Sequence, residues 1–375
     1  MDFTHFTAGK DDSDRRLDRI LRRFLSEENL SSIYKLLRKG LVKVNGKKAD
    51  GNFRISEGDD IQIADFLLSS SSKNDNPGAE KTSPLSKDII IFKNDSILIL
   101  NKPYDIPVQP SSSSKGNSLA EIVQKDYEIS HKKDSLSFRT GPLHRLDRKT
   151  TGLIAFSQNL EGAKWFSEKI KSHEIQKIYL AVLEGNLTEK MVWEDRIQKL
   201  AMSNEELGVF NNEQGAISKE QLARSNEQVS IRNEQVAIRN EGGARFMAQG
   251  SSRGFHTVSV NSSDEGKFAH TEVDPVSYGV FNGKDVTLAR VLITTGRTHQ
   301  IRSQCAYHGF PLLGDTAYGG TKIDSKKFGQ DFFLHASELY FPKDNPLGLP
   351  EKIITEFPKS FTQIIGALRG RERRH

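Results

Sequence analysis

The sequence has one cysteine in 375 residues and no long run of apolar side chains. Cys305 alone can form no intramolecular disulfide, and it excludes a zinc site built from cysteine ligands. The N-terminal residues MDFTHFTAGKDDSD show no basic segment followed by an apolar one, and no stretch approaches the roughly 18 apolar residues that span a bilayer. We therefore expect a soluble, cytoplasmic protein that binds no membrane.

The sequence also lacks the motifs of cofactor-dependent enzymes. It contains no Gly-rich phosphate loop and no Walker lysine. Four histidines lack the H-x-x-x-H spacing and the clustered acidic partners of a metal site. They are His144, His299, His308 and His335. We therefore predict that the protein needs no metal and no cofactor.

Positive charge is concentrated near the N-terminus. The whole chain has a formal charge of +5, whereas residues 10–48 alone hold twelve Lys or Arg against six Asp or Glu. Apolar spacing predicts a helix over residues 15–25 and a second, serine-capped helix from about Ser31 to Gly40. Asn45-Gly46 then predicts a hairpin. Such a basic helix pair suits the binding of RNA phosphates, although a solvated basic surface is the alternative.

A single carboxylate in the middle of the chain is closely flanked by positive charge. In GPLHRLDRKTTGLIAF, residues 141–156, Asp147 stands between Arg145 and Arg148. Opposite charge nearby lowers the pKa of a carboxyl group, so Asp147 is expected to be ionised at neutral pH. It is a candidate nucleophile or charge stabiliser. A surface ion-pair cluster before a strand is the alternative.

Two later segments present polar side chains on one face of an element. KIYLAVLEG, residues 177–185, predicts a strand on which Lys177 and Tyr179 share a face, so that the tyrosine faces either a cleft or the core. TGRTHQIR then predicts a helix capped by Thr298, on which His299 and Arg302 lie three residues apart on a neighbouring stripe.

Two stretches without apolar periodicity divide the chain. Residues 67–87 predict a flexible linker on which the basic domain can swing. Residues 197–270 include the repeat RSNEQVS, IRNEQVA and IRNEGGA, whose apolar pairs lie two residues apart. That spacing is about 200° around a helix, so no coiled-coil seam forms. We predict a low-complexity insertion that is either mostly disordered or a long excursion of the chain, with an RNA-contacting lobe as the functional alternative.

Several segments resemble those of one enzyme family. HRLDRKTTG, TGRTHQIR, K-x-Y-x-A and NKPYDIPVQP resemble motifs of the RluA-type pseudouridine synthases, with Thr151 where the family pattern has Ser and Asp105 where it has Gly. HGFPLLGDTAYG and FFLHASEL continue the resemblance through residue 339. Residues 12–64 resemble an S4 RNA-binding domain. The order of the two domains is most similar to the RluC-like subgroup, which modifies large-subunit ribosomal RNA.

The resemblance implies an α+β fold in two domains. A small αα-β S4 domain would occupy residues 1–66. A catalytic domain at 88–345, carrying the insertion, would have a central mixed, mainly antiparallel sheet flanked by helices. A C-terminal segment with a basic tail would follow at 346–375. We expect a monomer that binds RNA.

The resemblance also assigns residue roles. Asp147 would attack or stabilise C1′ of a uridine, Arg302 would pair with Asp147, and Tyr179 would stack on the base and could remove its C5 proton. The other residues expected to contact RNA are Lys102, His144, Arg145, Lys177, Arg297 and His299 in these motifs, and Arg15, Arg19, Arg22, Lys35, Arg38 and Lys39 in the N-terminal helices.

The chemistry of the implied reaction fits one carboxylate. Positive charge grows at C1′ as the N1–C1′ bond breaks, and an ionised carboxylate can bond to that carbon or stabilise it. The uridine must leave its helix, and Arg145 is expected to fill the gap. Leu146, Leu153 and Ile154 are expected to form a wall that excludes water.

Other functions remain open. One alternative is an enzyme of this design that acts on transfer RNA, and another is a ribosomal RNA-binding or assembly factor that keeps the fold without activity. The presence of Asp147, Tyr179 and Arg302 together favours an active enzyme. A phosphoryl- or acyl-transfer enzyme is disfavoured, because the metal carboxylates and nucleotide loop that it would need are missing.

Overall fold

A computed structural model describes most of the chain. The described residues are 1–25, 27–68, 85–110, 118–130, 135–201, 228–232, 235–240, 243–249, 255–261 and 266–368. The centre of the predicted linker and the basic tail at 369–375 lie outside these ranges. Among the helices of the described residues, none is both long and apolar enough to cross a membrane.

The N-terminal domain packs two helices on a small antiparallel sheet of order β1-β4-β2-β3. Its elements are β1 Phe3–Thr7, α1 Leu17–Phe24, α2 Leu30–Lys39, β2 Val42–Val44, β3 Lys47–Lys48, β4 Asp60–Ala64 and α3 Asp65–Leu68. The apolar stripes of α1 and α2 are buried against the sheet, as the spacing predicts. Asn45 and Gly46 both have positive φ, which makes the predicted hairpin turn. The cap of α2 is Asn29, whose side chain accepts from the Ser32 amide, rather than a serine.

The second domain is built on one long sheet with helices packed on it. Its elements are β5 Ile90–Lys93, β6 Ile97–Lys102, α4 Leu119–Ser130, β7 Thr151–Ser157, α5 Leu160–Lys171, β8 Gln176–Glu184, β9 Met191–Ala201, β10 Gln228–Arg232, β11 Gln235–Asn240, β12 Gly243–Gln249, β13 Phe255–Asn261, β14 Lys267–Phe281, β15 Lys284–Ile293, α6 Gln300–Tyr307, α7 Ser325–Phe328, β16 Leu334–Tyr340, β17 Lys352–Ile354 and α8 Lys359–Leu368. Short 3-10 helices lie at Lys10–Asp12, Lys87–Ile89 and Thr316–Tyr318.

The strand order is β10-β11-β12-β13-β9-β14-β15-β8-β16-β7-β6-β5, with β17 paired to β16. Of the strand pairs among the described residues, β16 with β7 is parallel and the others are antiparallel. This confirms the predicted mixed, mainly antiparallel sheet. The strand β8 lies between β15 and β16 near the middle, and every residue from Lys177 to Leu183 on it is buried.

Of the two forms predicted for the insertion, disorder is wrong for the described part of residues 197–270. Four strands, β10 to β13, extend the sheet beyond β9. The repeat forms the β10–β11 hairpin, in which Val229 lies opposite Ile238 and Ile231 lies opposite Val236. Apolar residues two apart share one face of a strand, so the spacing that excludes a coiled coil is the spacing of β structure.

The N-terminal domain is docked against the second domain. The buried carboxylate of Asp12 accepts hydrogen bonds from Ser135 Oγ at 2.8 Å and from the amides of Leu136 at 2.7 Å and Ser137 at 2.8 Å. The guanidinium of Arg23 donates to the carbonyls of Leu136 and Phe138. These contacts correct the expectation that the basic domain swings freely on its linker.

Candidate active site

A pocket of about 450 Å³ opens beside the central strand β8. It is lined by the loop before β7, by the loop between β15 and α6, and by residues of β8, β16 and α6. Asp147 is the one carboxylate among the described lining residues. The cationic lining residues are Arg145, Lys171, Lys177, Arg297 and Arg302. This charge balance favours a polyanionic ligand.

Asp147 and Arg302 meet in this pocket although they are 155 residues apart. Arg302 Nη1 lies 3.4 Å from Asp147 Oδ2, and His299 Nε2 lies 3.8 Å from Asp147 Oδ1. Burial alone would raise the pKa of Asp147, but nearby positive charge outweighs it and lowers the pKa below its usual value. At neutral pH that charge is held by Arg302 and Arg145, because burial lowers the pKa of His299. The carboxylate is therefore ionised at neutral pH.

Arg302 is held from behind by a second carboxylate. Asp315, which is 1% exposed, accepts from Arg302 Nε at 2.7 Å and from Nη2 at 2.8 Å, a bidentate pair. The guanidinium also lies 4.8 Å from the ring centre of Tyr318 and 4.6 Å from that of Phe332. This arrangement leaves Nη1 directed at Asp147. Any other orientation of the guanidinium would break its hydrogen bonds to Asp315.

Asp315 and Tyr318 are functional residues that sequence patterns do not single out. Both belong to HGFPLLGDTAYG, residues 308–319, a segment that continues the family resemblance. An aspartate beside glycine is common in turns, so its type alone indicates nothing. The position of the segment within the resemblance was the available signal.

His299 connects Asp147 to this group. Its Nδ1 lies 2.7 Å from the hydroxyl oxygen of Tyr318. Its backbone is left-handed, with φ of 53°, and α6 begins at the next residue. The predicted Thr298 cap is therefore wrong. Instead, Gln300 Oε1 accepts from Thr295 Oγ1 at 2.8 Å and from the Arg297 amide at 3.0 Å, which fixes the loop that carries these residues.

Tyr179 lies in the same pocket, on β8. Lys177 and Tyr179 both line it, whereas Ile178 and Leu180 do not, so the predicted alternation holds. Burial, and then the charge of Asp147, raise the pKa of Tyr179 above its usual value. The phenol is therefore neutral at neutral pH. It offers a ring for stacking, and it can take a proton only if its own proton leaves in the same step.

Lys102 does not lie at the protein surface, which corrects the prediction that it contacts RNA. It is fully buried, and its ammonium donates to the carbonyls of Pro103 at 2.9 Å, Ile106 at 2.9 Å and Arg148 at 2.8 Å. Burial lowers its pKa to about 7, partly offset by Asp147. Lys102 thus ties the loop after β6 to the backbone that follows Asp147.

Asp105 belongs to the same loop. It has φ of 61°, a left-handed conformation that aspartate tolerates. The turn is therefore compatible with aspartate at the position where the family pattern has Gly. Its side chain pairs with Arg148, which ties this loop to the Asp147 segment a second time.

The remaining motif residues all line the pocket but differ in how exposed they are. They are His144, Arg145 and Arg297. His144 Nε2 accepts from the Ala155 amide at 3.1 Å, and burial lowers its pKa to about 3, so His144 is neutral. Arg145 is exposed at the pocket opening, and Arg297, which also lines the pocket, is half-buried.

Of the expected apolar wall, Leu146 lines the pocket. Leu153 and Ile154 are instead buried in two different core clusters, because they lie inside β7.

The predicted RNA contacts of the N-terminal helices lie on a surface. Arg15 is half-buried, and the other five are exposed: Arg19, Arg22, Lys35, Arg38 and Lys39. They are therefore accessible to a polyanion, and their contact with RNA stays a prediction. Arg23, on the same helix, is instead used in the docking contact with residues 136 and 138.

An ionised carboxylate clamped by arginine, beside a tyrosine and cationic lining residues, defines an enzyme class that works on a polyanion. The attached basic domain makes nucleic acid the fitting substrate. The family model described as RNA pseudouridylate synthase matches residues 96–307, and that of the S4 domain matches residues 15–61. The first match covers more than half of the chain, so the chain belongs to the RNA pseudouridylate synthase family. The predicted family, enzyme class and domain types are confirmed.

Individual relatives are similar to most of the chain. The ribosomal large subunit pseudouridine synthase C of Escherichia coli strain K12 is 26% identical over 337 residues, 88% of this chain and 86% of its own length. The protein of the same name from Haemophilus influenzae is 25% identical over 340 residues, 89% of this chain and 86% of its own. The solved structure of human RNA pseudouridylate synthase domain containing 4 has a TM-score of 0.48 and 17% identity, covering 75% of this chain and 92% of that one.

Proposed function

We propose that this protein converts specific uridines of large-subunit ribosomal RNA to pseudouridine. The observation that carries the reaction is the Asp147–Arg302 pair in a pocket shared with Tyr179. The choice of RNA is supported by relatives whose names state that they act on the large ribosomal subunit.

The proposed reaction begins with a uridine turned out of its helix into the pocket. The N1–C1′ bond breaks and its electron pair stays on the uracil, while a carboxylate oxygen of Asp147 bonds to or stabilises C1′. Arg302 keeps that carboxylate charged and oriented. The uracil then turns and C5 joins C1′, and any bond between Asp147 and C1′ breaks in that step with its electron pair returning to the carboxylate. The C5 proton then leaves and N1 takes up a proton.

The surrounding residues support the other steps. The Tyr179 ring is positioned to stack on the turned-out base. Arg145 is exposed at the pocket opening, where a planar cation can replace the base in the stack. The exposed cations of the N-terminal helices would contact RNA backbone, which gives affinity independent of sequence.

The substrate is tested by mapping pseudouridines in total RNA from cells with and without this gene. We expect one or a few positions of large-subunit ribosomal RNA to lose pseudouridine, and a plasmid copy to restore them. Loss confined to transfer RNA would replace the proposed target while keeping the reaction. No loss at any position, together with no tritium release from RNA labelled at uridine C5, would favour a binding or assembly factor.

A further inference from the structure

Lys177 is a buried cation with few protein partners. Its residue is 6% exposed, and its Nζ donates one hydrogen bond, to the Thr295 carbonyl at 3.3 Å. Within the described ranges of the chain, no carboxylate forms a salt bridge with it. An ammonium that is removed from water without acceptors is costly, so a site of this kind is completed by a ligand.

The other buried lysine shows what a purely structural ammonium looks like in this fold. All three donor hydrogens of Lys102 are matched by backbone carbonyls at 2.8 to 2.9 Å. Lys177 has one long bond of this type, and it lines the pocket, which Lys102 does not. Two of its donor hydrogens are therefore available to a molecule in the pocket.

The strand sets where that ammonium lies relative to a bound base. Lys177 and Tyr179 are alternate residues of β8, so their Cα atoms are roughly 7 Å apart and their side chains leave the same face. A pyrimidine stacked on the Tyr179 ring would bring one edge beside Lys177. Gly296 also lies close to the ammonium: an added Cβ would be 3.5 Å from Nζ, and glycine places no side chain there.

We propose that Lys177 donates a hydrogen bond to a carbonyl oxygen of the turned-out uracil and stabilises the negative charge that the base carries once its N1–C1′ bond has broken. This inference rests on the proposed function. The charge of a uracil anion is shared between the ring and the oxygens O2 and O4, and a fixed cation beside one of them lowers the energy of the separated base. No proton leaves the ammonium in this step.

The symmetry of uracil lets one lysine serve both halves of the reaction. Turning the base by half a turn about the axis through N3 and C6 brings C5 to the place of N1, and it also exchanges O2 with O4. A cation fixed beside one carbonyl before the turn is therefore beside the other carbonyl after it. Lys177 would hold the base while it is detached from the sugar.

The depth of Lys177 favours the base over a phosphate as its partner. Phosphates of a bound strand stay near water, where Arg145 is exposed at the pocket opening. Lys177 lies among buried residues of the central strand instead. Burial, with the charge of Arg297, lowers its pKa to about 8, so the ammonium is still charged at neutral pH and is a stronger donor than an ordinary lysine.

The test uses the purified full chain and an RNA oligonucleotide that carries C5-tritiated uridine at the position identified by mapping. Lys177→Met is compared with wild type in single turnovers at saturating enzyme, and the RNA dissociation constant is measured separately. We expect the rate to fall about 100-fold, the dissociation constant to change less than threefold, and Lys177→Arg to recover part of the rate. Lys164→Met, at an exposed position of α5, is the matched control and should behave as wild type.

A second arm replaces the uridine by 2-thiouridine or 4-thiouridine, because sulfur is a weak hydrogen-bond acceptor. The thio effect is the rate with uridine divided by the rate with the thio analogue. Dividing the thio effect of wild type by that of Lys177→Met cancels the intrinsic effect of sulfur. We expect this ratio to be at least about tenfold for one or both analogues. If Lys177→Met does not fold, as judged by thermal unfolding, Lys177→Leu, which also lacks the donor and the charge, is used in the same comparison.

Three results would overturn the proposal. One is a larger RNA dissociation constant for Lys177→Met with an unchanged rate at saturating enzyme, which would indicate a phosphate contact. Another is a thio ratio within twofold of one, and the third is an unchanged rate for Lys177→Met. In each case wild type still releases tritium, so the proposed function stands. If wild type releases none, both proposals fail.

Discussion

The N-terminal domain and the catalytic pocket both carry positive charge, but they hold it in opposite ways. In the N-terminal helices the cations are mostly exposed, as at Arg19 and Arg22. In the pocket the guanidinium of Arg302 is 10% exposed and is held by the buried Asp315. Exposed charge interacts weakly and is screened by salt, whereas a buried charge needs a fixed set of partners.

This difference separates affinity from chemistry. Exposed cations can supply many small, additive contributions to RNA binding. Buried charges position one carboxylate against one carbon, and the loss of a single partner leaves an uncompensated charge. Substitutions in the two regions should therefore change different measured quantities.

After the loss of the Asp147 charge itself, the largest effect is expected when the buried partner of Arg302 loses its charge. Asp315→Asn removes one side of the bidentate pair, so Arg302 is freed to turn towards Asp147 or away from it. We expect turnover to fall about 100-fold and the free energy of unfolding to fall by about 3 kcal/mol. Denaturant titration and tritium release measure the two effects, and Asp324→Asn, near the chain surface, is the control.

If Asp315→Asn kept full turnover with an unchanged KM, the clamp would have no part in orienting the pair. A loss in stability alone, with normal turnover per folded molecule, would make Asp315 a folding residue.

Lys102→Met should lower stability more than it lowers activity. It leaves three buried carbonyls without a donor, for a loss of about 3 kcal/mol of unfolding free energy. Thermal and denaturant unfolding measure this loss, with the exposed Lys93→Met as the matched control. Because the Arg148 carbonyl is one of the three, turnover should fall by a smaller factor, about tenfold. Equal stability of the two variants would contradict the buried network.

The buried imidazole of His335 should make the free energy of unfolding decrease at acidic pH. Burial lowers its pKa to about 4, from about 6.5 in an unfolded chain. Between these values the unfolded chain takes up a proton that the native protein does not. Stability should therefore fall as pH falls from about 6.5 to 4, by about 1.4 kcal/mol per pH unit from this group. Urea titrations across this range should show a smaller slope for His335→Gln, and an unchanged slope would contradict the prediction.

The smallest effects are expected in the N-terminal helices. Arg19→Gln or Arg22→Gln should each raise the RNA dissociation constant about threefold and reduce its salt dependence, while the rate at saturating RNA stays the same. Lys164→Gln is the matched exposed control. A loss of saturated rate in either arginine variant would break the proposed division between affinity and chemistry.

The sequence allows much of the site to be predicted, because its motifs are long and local. The alternation of Lys177 and Tyr179 follows from the period of a strand, and the β10–β11 pairing uses the same period. The polar composition of that segment favours disorder, whereas a polar strand is ordered by the strands that pair with it, and the local sequence does not identify those strands.

The partners of buried groups could not be predicted in the same way. From the sequence alone Lys102 is indistinguishable from a surface lysine. In the structure it donates to three carbonyls, one of them 46 residues away. Asp315 acts through Arg302, and Asp12 acts through a loop more than 120 residues later. Such contacts depend on the tertiary arrangement rather than on residue type, so sequence patterns identify the candidate side chains but not their roles.

The most direct test of the account is the rate of tritium release by Asp147→Asn. This change keeps the shape of the side chain and removes the charge that Arg302 and His299 hold in place. We predict that release from C5-labelled RNA falls at least about 1000-fold while the RNA dissociation constant stays within threefold of wild type. Release at more than a tenth of the wild-type rate would contradict the assignment of Asp147 as the group that acts on C1′.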